Sequence, residues 1–232
     1  MSLANLVQLI AERASPGVVL VVGATGSVAA GKSTLCAALK TALEPALRVE
    51  VVSTDGFLLP NAVLTERGVL MRKGYPETYD VEGLAAVLHG VRAGPVTVPG
   101  YSHIIYDIDP ALSREVAPPD VLIVEGLGLT PRPPGLDLLV YIDADEADLE
   151  DWFTARFMAF WRAAETDPTS FYARFRTMTA PEAEAFARSM VWRQMNLPNL
   201  REHIIKARDE ADIVVRKRAD HSLMLAGDTS PS

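Results

Sequence analysis

The stretch from Gly23 to Thr34, GATGSVAAGKST, restricts this chain more than any other. Inside it, Gly26-Ser27-Val28-Ala29-Ala30-Gly31-Lys32-Ser33 fills the pattern G-x-x-x-x-G-K-[ST] position by position, with Thr34 following. Upstream, Gly17-Val18-Val19-Leu20-Val21-Val22-Gly23 is a short β-branched run bounded by glycines, which predicts a buried parallel strand. Downstream, Leu35, Ala38, Leu39, Ala42 and Leu43 recur at helical spacing until Pro45 stops the helix. Strand, glycine loop and helix in that order aim backbone N–H groups and a helix N-terminus at one point, where an anion is stabilised. Lys32 would reach the β- and γ-phosphates of a nucleoside triphosphate, and the Ser33 hydroxyl would hold Mg²⁺. A glycine-rich turn without a ligand is the competing reading; the full match of loop and flanks speaks against it.

The 232 residues suit one α/β domain spanning 1–232, since no linker divides them, and 49% hydrophobic residues suffice for a substantial core. A net charge of −8 disfavours a nucleic-acid partner, because phosphate contacts need clustered Lys and Arg. An anionic ligand must therefore be held in a local basic pocket. The single cysteine, Cys36, excludes an intramolecular disulfide and is expected to be a small core residue, not a reactive thiol. No apolar run is long enough to span a bilayer, and no basic stretch with an apolar core opens the chain. The expectation is a cytoplasmic protein without membrane association.

Along the chain, Leu3, Leu6, Val7 and Ile10 share one side of an N-terminal helix. Residues 48–53 read as a second strand that delivers Thr54-Asp55-Gly56-Phe57 at its carboxyl end, the edge where ligands sit in open α/β sheets. The next twenty-odd residues read as irregular, with Arg67, Arg72, Lys73, Tyr75 and Tyr79 among glycines and Pro76. A helix over 81–91 capped by Asp80 follows, then a loop carrying Tyr101, Ser102 and His103. Residues 120–125 and 136–142 are buried strands, the first ending in Glu125. Asp145 opens a helix containing Leu149, Trp152, Phe153, Arg156, Phe157 and Phe160, and Thr179 to Glu182 form a capping box for a helix to about Met195. A last strand covers 211–216, and the tail from about 226 is expected to fray. Alternating strands and helices predict an α/β fold, a mostly parallel sheet with helices on both faces.

A phosphate loop alone does not separate kinases from GTPases, motor ATPases or adaptors. The chain lacks an Asn-Lys-x-Asp guanine-reading tetrapeptide. Asp55 favours a kinase, because a carboxylate can accept the proton of an acceptor hydroxyl; an Asp-Gly pair is as readily a plain turn. Glu125 would complete the Mg²⁺ shell or cap a helix. Arg156 and Arg162 could close over phosphates, or form a solvated face with Asp148 and Glu150, the better reading for Arg162. His103 beside Tyr101 is a ligand or a satisfied loop histidine, and Asn196 by itself reads as a helix C-terminal residue.

Together these residues closely resemble the bacterial type I pantothenate kinases, relatives of uridine kinase and phosphoribulokinase. The resemblance runs from first strand to last, through Gly26–Ser33, Ser53–Phe57, Pro60-Asn61, Glu66–Gly68, Lys73–Asp80, Tyr101–Asp107, Glu125–Leu127, Arg156-Phe157, Thr166–Pro168 and Asn196. It implies a phosphate-loop kinase fold and, with ATP and Mg²⁺, phosphorylation of the primary hydroxyl of pantothenate, the first step toward coenzyme A. It also implies a homodimer inhibited by coenzyme A. On matching positions it implies Gly26 to Thr34 around the nucleotide, Asp55 as base, Lys32 at the phosphates, and Ser33 and Glu125 at the metal. Tyr101, His103, Arg156 and Asn196 would surround pantothenate or the transferring phosphate. Phe160 matches an aromatic of the pocket shared by pantothenate and coenzyme A, and His221 a residue near the adenine. Phe153 stands where the family has a tyrosine lining the acceptor pocket, Gly128 where a larger residue is usual, and the family's long N-terminal segment has no counterpart in these residues. The same chemistry on another small alcohol, a nucleoside or a hydroxy acid, is the alternative. A nucleotide-binding regulator without transfer is a third reading, against which Lys32, Ser33, Asp55 and Glu125 all speak.

Overall fold

A computed structural model describes residues 3–225. In chain order the strands are β1 Leu20–Gly26, β2 Val49–Ser53, β3 Val96–Val98, β4 Tyr101–Ser102, β5 Asp107–Ile108, β6 Arg114–Val116, β7 Val121–Glu125, β8 Leu138–Asp143, β9 Ile213–Lys217 and β10 Leu223–Leu225. The main helices are α1 Leu3–Arg13, α2 Lys32–Leu43, α3 Asn61–Glu66, α4 Val81–Gly90, α5 Glu146–Ala163 and α6 Ala180–Phe186. Six strands form the central sheet in the order β10-β9-β8-β1-β7-β2, parallel except for β10 at one edge. Two small antiparallel ribbons, β3 with β6 and β4 with β5, stand beside it.

Every side chain of β1 is buried, because β1 is central and covered on both faces. Leu20, Val22, Ala24, Val121, Ile123, Leu138 and Val140 point to one side, into a core shared with Leu35 and Leu39 of α2 and Leu149 and Phe157 of α5. Their neighbours Val21, Leu122, Val124 and Leu139 point to the other side, against Leu84, Val87 and Leu88 of α4. The predicted α/β architecture with helices on both faces is the one observed.

Several boundaries differ from expectation. The first strand begins at Leu20, three residues after Gly17, because Gly17 (φ +76°) makes a turn bridging Ser15 and Val18, and Val18 is 61% exposed. The stretch read as irregular contains α3, whose Leu64 is fully buried. The capping box at Thr179 and Glu182 forms, but the helix passes after Phe186 into a π-helical stretch, Ala187–Asn196, and a second one at Leu200–Ile204. Such widened turns are rare and concentrate at functional sites. The edge strand β10 was not foreseen. The expected fraying from about 226 lies outside the described residues, among which no helix is long and apolar enough to cross a membrane.

Candidate active site

The sheet register brings the sequence motifs to one rim. Glu125 at the end of β7 pairs with Ala24 of β1 on one side and Ser53 of β2 on the other. The phosphate loop, Glu125 and the Thr54–Phe57 turn therefore leave the sheet at one level. Within the loop, Ala30 N–H donates to Ser27 O at 3.2 Å, and Ala29 (φ +63°) and Gly31 (φ +91°) adopt left-handed conformations that let the chain curl before α2 starts at Lys32. The Lys32 ammonium donates to Gly26 O at 3.1 Å and Ser27 O at 2.8 Å. Burial lowers its pKa, while Glu125 and Asp55 pull it back up. Cys36 is fully buried one turn along, and burial pushes its thiol up to about 12, so it is the inert core residue expected.

The Ser33 hydroxyl donates to Glu125 Oε1 at 3.0 Å. A hydroxyl and a carboxylate facing each other are hard oxygen donors of the kind Mg²⁺ takes, and Mg²⁺ is usually held by one or two protein groups with phosphates and water completing its shell. Among the described residues no group of three or more His, Cys, Asp and Glu could hold a metal. The pair fits Mg²⁺ bound together with a nucleotide.

Asp55 sits in a single 3₁₀ turn capped by Ser53: the Asp55 N–H donates to Ser53 Oγ at 3.2 Å. Gly56 allows that turn to press on the β3–β4 connection, since a Cβ there would overlap the Pro99 carbonyl oxygen. His103 Nε2 stands 3.8 Å from Asp55 Oδ2, and its ring meets Tyr101 edge-on at 5.2 Å. Burial lowers the His103 pKa, with Asp55 only partly opposing, so the imidazole is neutral at pH 7 and the contact is not an ion pair. A groove of about 120 Å³ opens here, lined by Ser53, Asp55, Gly56, Tyr101, His103 and Arg114 among others.

Arg156 of α5 faces the same centre, since its charge bears on Lys32 and His103. Its guanidinium lies 5.6 Å from the Phe160 ring, which stacks on Tyr172 at 5.0 Å. Phe153 is deeper, 9% exposed and packed 5.8 Å from Trp192 and 6.4 Å from Phe157. Asn196 ends the first π-helical stretch, which is tied to the loop before α4 where Tyr75 OH donates to Met195 O at 3.0 Å; just beyond the stretch, Asn199 Nδ2 donates to Gly74 O at 2.9 Å. His221 stacks on Trp152 of α5 at 4.8 Å.

Lys73 was not singled out for the site from sequence. Its side chain is only 2% exposed, and its ammonium donates to Asn61 Oδ1 at 2.6 Å and Tyr106 O at 2.8 Å while facing the rings of Tyr101 and Tyr106 at 5.0 and 4.8 Å. Burial brings its pKa down to about 8 against the opposing pull of Asp107 and Asp55. Tyr106, which stacks on Phe171 at 4.4 Å, and Tyr172 were missed likewise. The available signal was that Lys73 and Tyr106 fall inside two of the blocks that carry the family resemblance.

No protein-family profile matches the chain. Among curated proteins, the pantothenate kinase of Xanthobacter autotrophicus is 41% identical over 221 residues, covering 88% of this chain and 68% of its own, and that of Sorangium cellulosum is 42% identical over 219 residues, covering 88% and 70%. This chain belongs to the pantothenate kinase family. Among solved structures, a candidate fructose transport system kinase from Silicibacter sp. TM1040 is 31% identical with a TM-score of 0.69, covering 89% of this chain and 95% of that one. Phosphoribulokinase from Rhodobacter spheroides, 14% identical with a TM-score of 0.57 over 93% and 83%, shares the fold alone. The pantothenate kinase family assignment and this fold make the chain a nucleotide-using phosphotransferase with a small-molecule substrate, built as a phosphate-loop kinase.

Proposed function

We propose that this protein transfers the γ-phosphoryl group of ATP to the primary hydroxyl of pantothenate, the step that opens coenzyme A synthesis. The observation that carries the reading is the single rim where Lys32, the Ser33–Glu125 pair and the Asp55–His103 pair converge. The loop from Gly26 to Thr34 holds the phosphates, with Lys32 on the β- and γ-phosphates. Ser33 and Glu125 hold Mg²⁺, which when bound neutralises phosphate charge. Asp55 accepts the hydroxyl proton as the alcohol attacks, neutral His103 and Tyr101 orient the acceptor, and Arg156 offsets charge on the transferring group. Phe153, Phe160 and Asn196 line the acceptor pocket, and His221 lies by the adenine. A single domain acting as a cytoplasmic homodimer, inhibited by coenzyme A, completes the proposal.

One observation favours a second acceptor. Phe153 presents no hydroxyl where the family has a tyrosine, and the match to the Silicibacter kinase spans 95% of that chain. The same transfer to another small alcohol would use the same Asp55, Lys32 and Ser33. The test is ADP formation with pantothenate beside a panel of nucleosides, hydroxy acids and fructose. Saturable turnover with pantothenate is expected; turnover only with another alcohol overturns the reading.

A further inference from the structure

A second lysine, outside the motif, grips the phosphate loop. Lys217 ends β9, and its side chain reaches past the intervening strand β8 to donate from Nζ to the Ala30 carbonyl at 3.1 Å. A Cβ on Gly31 would stand 2.7 Å from that Nζ, so the ammonium occupies the space the missing side chain leaves. Trp152 of α5 bounds the cation with its ring, 4.1 Å to the centroid, and His221 stacks against the same indole at 4.8 Å. Burial lowers the Lys217 pKa, and no carboxylate among the described residues offsets it. Its partner at the loop is the Ala30 carbonyl and not a carboxylate, so the contact is a hydrogen bond rather than a salt bridge.

The Ala30–Gly31 peptide is trans, so its C=O and N–H point in opposite directions. Drawing the Ala30 carbonyl toward Lys217 turns the Gly31 N–H to the opposite face of the loop, and among the described residues no protein acceptor takes that N–H. The loop also carries Ala29 at φ +63°, a conformation a non-glycine residue keeps only when its surroundings impose it. We propose that Lys217 is a positioning residue for nucleotide phosphate: clamped between Trp152 and the Ala30 carbonyl, it fixes the Ala30–Gly31 peptide with its N–H aimed at the β-phosphate. The inference rests on nucleotide binding at this loop and is independent of which alcohol accepts the phosphoryl group.

The test is Lys217→Met, which keeps an apolar stem over Trp152 and removes the donor and the charge. Calorimetric titration of the purified protein with ADP and with AMP, both with Mg²⁺, reads the result, since only ADP carries a β-phosphate. The expected outcome is ADP affinity lowered ~10-fold with AMP affinity changed less than ~2-fold. Equal losses for both nucleotides would mean that Lys217 serves the base or ribose, and an unchanged ADP affinity would mean that it serves neither; either overturns the proposal. Lys217→Gln, whose amide can still donate to Ala30, is measured alongside and should lose less ADP affinity than Met. Should the Met variant fail to fold, the same ADP-to-AMP split in the Gln variant decides.

Discussion

The Ser33 hydroxyl, on the first turn of α2, donates to Glu125 at the end of β7, 92 residues away, at 3.0 Å. The contact exists because β1 and β7 are parallel neighbours in register, Ala24 opposite Glu125, so the loop after β1 curls back over the end of β7. It is the point at which motif and sheet topology combine into the edge proposed to hold Mg²⁺.

Removing the charge while keeping the shape should therefore act on the metal. Glu125→Gln is expected to raise the Mg²⁺ concentration for half-maximal turnover by roughly 10–100-fold, the range seen when a group supporting a metal is lost. Initial rates across a Mg²⁺ titration at saturating ATP check it; an unshifted midpoint would remove Glu125 from the metal.

Asp55→Asn should lower kcat by roughly 10²–10⁴-fold, the usual worth of a positioned base. ATP binding should be untouched, because Asp55 stands on the 3₁₀ turn after β2 and not in the phosphate loop. Turnover measured beside nucleotide titration separates the two effects, and normal turnover would exclude Asp55 as base.

Lys73 predicts a pH effect on stability. Its folded pKa, about 8, lies below its ordinary value of 10.5, so between those values the unfolded chain binds more protons than the folded one. Stability from this group accordingly rises as pH increases from about 8 toward 10.5 and is flat below 8. Denaturant unfolding of wild type and Lys73→Met across that window should show the wild type gaining relative to the variant; parallel curves would refute the buried, depressed ammonium.

Cys36 should be silent in the native state. With its thiol at about 12 and no exposure, alkylation near pH 8 should run at least roughly 10³-fold slower than for an ordinary thiol. Labelling followed by mass spectrometry, native against unfolded, checks this, and rapid native labelling would contradict the packing around α2.

Phe153→Tyr adds the hydroxyl that the family resemblance implies at this position. A neutral hydrogen bond contributes about 0.5–1.5 kcal/mol, so the KM for pantothenate should fall by ~2- to 10-fold if that acceptor is correct. An unchanged KM with a lowered Tm would instead mean that the hydroxyl is trapped against Trp192 and Phe157, which flank the ring.

Local chemistry was readable and long-range chemistry was not. The Asp80 cap of α4 and the Thr179–Glu182 capping box formed where expected, because a cap depends on residues three positions apart. The start of β1 was misplaced because the sheet pairing Leu20 to Val121, not β-propensity, decides which of the valines are buried. α3 was missed because its one buried anchor, Leu64, shows no periodicity over six residues. The switch to π-helical turns after Phe186 has no sequence signal that we can name.

The phosphate loop needed only the sequence, because glycines at fixed spacing and a helix start determine its backbone geometry within a dozen residues. The order of strands and helices, and hence the fold class, was likewise written in the hydrophobic pattern. What only the tertiary structure decided is who meets whom at the rim: Lys73 between Asn61 and Tyr106, His103 beside Asp55, and Lys217 on Ala30 from 187 residues away. Those meetings depend on strand register and on which side chains are shut away from water, and neither is a property of any short stretch of sequence.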